Sequence, residues 1–193
     1  MKLESHKNLG GVGALLVVLS PIAMGAAAGV LGLVGLILLL IALSGMARDF
    51  REKKIFSNAF YGFVIAVVGG LVALVIVILT ALQFFSQFGF DILNPNWTGM
   101  GRMFMGMSTP GFWPFLGSIV AALVVIFVCV LIAVIYFRRT LNILSKKTDV
   151  QMFATAGTIM LIGAILTIVV VGFLLIWISF ILLTVAFFSI KTK

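Results

Sequence analysis

Charge is scarce in this chain and acid is scarcest: five Asp and Glu stand against thirteen Lys and Arg among 193 residues. Histidine and cysteine each occur once, as His6 and Cys129. A lone histidine rules out H-E-x-x-H zinc sites and bis-histidine haem ligation within one chain, and a lone cysteine rules out an intrachain disulfide and a thiolate metal cluster. No glycine-rich loop leads to a P-loop lysine, and no serine has a plausible neighbouring base, so nucleotide hydrolysis and acyl transfer lack their parts. The expectation is a chain with no enzymatic activity and no cofactor. His6 reads as a solvated flank beside Lys7, and Cys129 as a small buried apolar residue.

What is present is apolar: 63% of residues are hydrophobic and 9% charged, against about 45–50% and about 25% in soluble domains. The surroundings must be lipid. The net charge of +8 does not indicate nucleic acid, because the cations are dispersed in short clusters beside apolar runs, the placement of membrane flanks. The lysines of the first ten residues resemble a signal peptide, but no A-x-A-like cleavage site is clear and the apolar run is too long, so a retained first helix is expected.

Apolar material falls in four blocks, Leu9 to Ala47, Ala59 to Phe85, Phe115 to Phe137 and Val150 to Ile190. The outer two would each form a continuous helix about 60 Å long, twice the roughly 30 Å of hydrocarbon. Each is therefore expected to be a hairpin, the first broken at Ser20, Pro21 and Gly25, the last at Gly172. This predicts an all-α membrane protein with six transmembrane helices, two terminal hairpins plus two central helices.

The cations sort accordingly. Lys2 and Lys7, Arg48 to Lys54, Arg138 to Lys147, and Lys191 with Lys193 fall on one side, and Arg102 alone on the other. The positive-inside rule then places both termini in the cytoplasm, with a multi-pass location in the cell membrane. Residues 1–193 read as a single transmembrane domain with an external loop at residues 86–114. Every acidic residue (Glu4, Asp49, Glu52, Asp91, Asp149) lies in a loop or terminus, so energised ion transport, which usually needs intramembrane charge, is disfavoured. The basic connections, with Phe50, Leu141 and Leu144 among the charges, either set topology alone or attract anionic headgroups at about 1 kcal/mol per near-surface cation.

Two features of the external loop invite chemistry. Met100, Met103, Met105 and Met107 place four of the nine methionines within eight residues, and thioethers suit Cu(I). Methionine also fills apolar interfaces, and with Phe104, Phe112 and Trp113 nearby a loop folded onto the membrane is the favoured reading. Asn96-Trp97-Thr98 matches the N-glycosylation pattern, with Asn96 as acceptor. Elsewhere, small residues four apart (Gly25 and Gly29, Ala28 and Gly32, Ala66 and Gly70) suit close helix contacts, within the chain or between subunits. Gly69-Gly70 would also permit a kink.

The segments Leu9-Gly10-Gly11-Val12-Gly13-Ala14-Leu15-Leu16, Phe153-Ala154-Thr155-Ala156-Gly157, Leu161 to Thr167, and Ala186-Phe187-Phe188-Ser189 together resemble an uncharacterised, mainly archaeal family of small multi-helix integral membrane proteins, a domain of unknown function. The resemblance implies a membrane location and an archaeal source, and it carries over no activity and no catalytic residues. The expected role is an accessory, scaffolding or self-assembling membrane subunit, partnered by membrane lipids and by copies of itself or other membrane proteins. The alternative is a passive channel or carrier lined by Gly69-Gly70 and the hydroxyls of Thr80, Thr155 and Thr158, although such hydroxyls more commonly bond their own helix backbone.

Overall fold

The computed structural model describes residues 3–23, 26–86, 112–167 and 171–191. Over these residues the chain is all-helical, with six α-helices: α1 Leu3–Leu19, α2 Ala26–Asp49, α3 Lys53–Ser86, α4 Phe112–Thr148, α5 Met152–Leu166 and α6 Val171–Phe188. A 3-10 turn, Ser20–Ile22, opens the first reversal, with Pro21 where its missing N–H costs nothing. Four helices, α2, α3, α4 and α6, are long and apolar enough to cross a membrane; α5 is apolar but shorter.

The two terminal hairpins exist as expected, with shifted boundaries. Helix α1 begins at Leu3, well before Leu9, and so carries Glu4, His6 and Lys7 into regular structure. Gly172, expected at the second reversal, lies in the first turn of α6. A Cβ there would run into the Gly163 carbonyl oxygen and into the backbone of Leu166 and Thr167, so this glycine serves both the close approach of α5 and the tight reversal. The central helices are longer than their apolar blocks. At 34 and 37 residues, α3 and α4 reach about 51 and 56 Å at 1.5 Å per residue. The basic segment Arg138 to Lys147, read as a connection, continues α4, because Phe137, Leu141 and Leu144 recur at helical spacing and Leu141 and Leu144 are fully buried.

The fold divides into two compact units. The first, residues 1–65 and 130–193, holds both terminal hairpins with the adjoining parts of α3 and α4. Its core draws on all six helices: Ala14 of α1, Leu43 and Met46 of α2, Ile55 of α3, Leu144 of α4, Phe153 of α5 and Phe187 of α6. Phe153 and Phe187 meet edge to face at 5.1 Å between ring centroids. Two buried hydroxyls in this unit are satisfied on backbone carbonyls. Thr140 donates to Ile55 O across 3.2 Å, and Ser179 to Ala156 O across 2.9 Å.

Glycine sets the closeness of both hairpins. A Cβ on Gly13 would sit 2.8 Å from Gly35 O, and one on Gly35 would sit 2.7 Å from Gly13 O, a reciprocal backbone contact between α1 and α2. Gly163 and Gly172 face each other in the same manner between α5 and α6. In lipid, where no hydrophobic drive brings helices together, such backbone approach is a main source of cohesion.

The described part of the second unit, which spans residues 66–129, is the remainder of α3 and α4. Its contacts form one antiparallel ladder. Gly69 receives Cys129, Ser118 donates to Thr80 Oγ1 across 2.9 Å, and Phe84 stacks on Phe115 at 4.6 Å. Ala73 and Ala122 are its buried apolar side chains away from the ends. Most other side chains, such as Leu71, Leu79, Val120 and Leu123, are more than half or nearly half exposed. In water that surface would be untenable; in hydrocarbon it is the expected one.

Candidate functional site

The first unit gathers the polar chemistry of the described chain at one end. Helix α2 closes there with a Schellman motif: Arg51 N–H donates to Arg48 O across 3.1 Å and Glu52 N–H to Ala47 O across 2.9 Å. The motif needs a left-handed residue, ordinarily glycine, and here Arg51 fills it at φ 53°. The turn between α4 and α5 uses Asp149 likewise, at φ 58°.

Around the α2–α3 turn lies an open cavity of about 540 Å³ lined by Ser44, Ala47, Arg48, Arg51, Lys53, Phe56 and Ser57. Ala47 is buried and Phe56 half-buried, giving an apolar floor. Arg48, Arg51 and Lys53 are exposed, and none of the three side chains makes an ion pair or hydrogen bond with the described chain.

The acids that might have neutralised them are engaged elsewhere. Glu52 is 3.8 Å from Lys147 of α4. Asp49, its side chain 28% exposed, accepts a 2.8 Å hydrogen bond from His6 Nδ1. His6 corrects the sequence reading: it is not a solvated flank but 4% exposed, its ring seated on Gly45 of α2 where any Cβ would collide. A pairing 43 residues apart leaves no local signal, although the glycine facing it was visible. Lys7 donates to Ile190 O across 2.8 Å and so ties the start of α1 to the end of α6. On α4, Arg139 lies 5.7 Å from the Tyr136 ring centroid. The Arg138 stem packs over Gly157, and its Nε is, among the described residues, a buried side-chain nitrogen without a hydrogen-bond partner.

The sequence candidates fare unevenly. Met100, Met103, Met105, Met107 and Asn96 lie outside the described residues, as do Arg102 and Asp91. The loop that holds them is bounded more tightly than expected, since Ser86 ends α3 and Phe112 to Pro114 open α4. Thr80, Thr155 and Thr158 bond their own helices, at Ile76 O (2.6 Å), Gln151 O (3.4 Å) and Ala154 O (3.0 Å), the commoner use of such hydroxyls. Helix α3 runs through Gly69-Gly70 without a break. Gly29 and Gly70 meet nothing within 4 Å, so these small residues make no close contact within the described chain, whereas Gly32 reaches Ser20. The cavity itself was half legible: Arg48, Arg51 and Lys53 stood out as cations, but their freedom from partners depends on where Asp49 and Glu52 point.

Long apolar helices with polar groups gathered at one end define an all-helical protein of membrane-spanning composition. The chain belongs to a family described as proteins of unknown function, DUF996, which its residues 31–181 match. It is similar to an uncharacterized protein of Methanocaldococcus jannaschii, 28% identical over 190 residues, covering 98% of this chain and 94% of that protein. No solved structure matches the chain.

Proposed function

We propose that this is a multi-pass membrane protein of non-enzymatic role, an accessory or scaffolding subunit that assembles with copies of itself or with other membrane proteins. On this reading all six helices enter the bilayer, and the cationic end, which carries both termini, faces the cytoplasm by the positive-inside rule. The observation that carries the assembly reading is the open helix surface: Gly29, Gly70 and Gly117 lie on helix faces with no neighbour within 4 Å among the described residues, where the backbone of a second helix can approach. The transmembrane hydroxyls spent on their own backbones favour this role over a lined pathway for solutes.

The test is extraction into native-membrane nanodiscs followed by mass photometry. Oligomers or a stoichiometric membrane partner are expected; a bare monomer under these conditions refutes assembly. The orientation is tested separately by Lys54→Cys and Ala23→Cys in a Cys129→Ser background. Only the second should react with an impermeant maleimide applied to intact cells.

A further inference from the structure

We infer that the cavity at the α2–α3 turn is a seat for an anionic phospholipid, its phosphate held by Arg48, Arg51 and Lys53 and its acyl chains lying along the groove between α2 and α3. The inference rests on the chain being embedded in a bilayer. It does not depend on which face is cytoplasmic.

Four observations converge. Three cations surround one opening, and none is neutralised within the described chain, since Glu52 turns to Lys147 and Asp49 to His6. Ser44 and Ser57 also line it and add two hydroxyl donors with no hydrogen-bond partner among the described residues, suited to the remaining phosphate oxygens. The volume of about 540 Å³ falls within the roughly 300–1,000 Å³ of small-ligand pockets. The floor is apolar, and exposed apolar side chains follow along both helices. At helical spacing from Ser44, Ile41 and Ile37 of α2 are 49% and 48% exposed, and at helical spacing from Phe56 and Ser57, Phe60 and Val64 of α3 are 45% and 37% exposed.

A soluble anion would use the cations but not this apolar track, whereas a phospholipid uses both. Arg51 sharpens the case. Glycine would relieve the left-handed backbone at its position, yet the chain carries a long cation there, whose side chain lines the cavity while its backbone makes the turn.

The experiment uses the full chain in mixed micelles, with native mass spectrometry after addition of dioleoyl phosphatidylglycerol, dioleoyl phosphatidylcholine or inorganic phosphate. Phosphatidylglycerol is expected to be retained in preference to phosphatidylcholine and not to be displaced by millimolar phosphate. The variant carrying Arg48→Gln, Arg51→Gln and Lys53→Gln should lose affinity for phosphatidylglycerol roughly 10- to 100-fold. A charge-matched variant, Arg139→Gln with Lys146→Gln and Lys191→Gln, should stay within about threefold of the native chain, since none of these cations lines the cavity.

Arg51→Gly guards against a folding artefact. It should leave the thermal transition unchanged or raise it while still weakening lipid retention several-fold. Equal loss in the two triple variants, equal retention of both lipids, or displacement by phosphate would each overturn the inference. Vesicle flotation at both lipid compositions checks embedding on its own; failure to float with either removes the membrane reading, and this inference with it.

Discussion

The two units hold strongly apolar helices together by different means. The first uses backbone-to-backbone glycine contacts, buried aromatics and side chains that reach neighbouring carbonyls, and every helix contributes to its core. Among its described residues the second joins two helices through a cysteine seated on a glycine, a hydroxyl pair and an aromatic stack. One is knitted through its interior, while the other is zipped along a single seam. The difference teaches that a similar apolar composition gives a dense core only where small residues let several helices converge.

The comparison breaks most visibly at the glycines. Gly13→Leu drives a side chain into the Gly35 carbonyl and should cost more than about 4 kcal/mol, seen as loss of a monodisperse folded species in detergent. Gly70→Ala in the second unit, where nothing among the described residues lies within 4 Å, should instead leave the fold of the single chain unchanged or stabilise it by up to ~1 kcal/mol through helix propensity. If both were tolerated alike, the distinction between the units would not stand.

Next in size, Phe187→Ala removes a fully buried ring in contact with Phe153. It should lower unfolding free energy by about 3–5 kcal/mol in a denaturant titration, while Leu71→Ala, 57% exposed, should change it by less than ~1 kcal/mol because lipid replaces the lost contacts.

How much of this was legible in the sequence follows from the range of each interaction. Six helices, two terminal hairpins and the cationic clusters are visible because apolar run length and charge placement are local properties. Helix ends were not: the persistence of α4 to Thr148 depends on Leu141 and Leu144 being pressed into a core built by distant helices. Gly172 was noticed for the reversal, but its close approach to Gly163 shows only once the partner helix is in place. Of the candidate site, the cations were plain. The pairing of His6 with Asp49, which helps leave Arg48 and Arg51 unneutralised, joins residues whose proximity no spacing rule reveals.

Smaller effects sharpen the contrast. Gly69→Ala places a methyl on Cys129 and should cost ~1–3 kcal/mol. Combined with Cys129→Gly, the loss should be at least ~1 kcal/mol less than the sum of the single changes in a double-mutant cycle. Additive losses would mean that this seam does not hold the second unit.

Smallest is the hydroxyl comparison by thermal unfolding in one detergent. Thr140→Val, which orphans a buried bond to Ile55 O, should cost about 1 kcal/mol. Ser118→Ala, which releases Thr80 Oγ1 to its remaining intrahelical bonds, should cost about 0.6 kcal/mol or less.

The reciprocal seating of Gly13 on Gly35, each against the other's carbonyl oxygen, also fixes what the first hairpin can do mechanically. Sliding α1 along α2 by a single residue would put a side chain where only a hydrogen fits, so the two rods cannot piston past one another. Any rearrangement of the bundle must carry α1 and α2 as one rigid lever, pivoting at its ends.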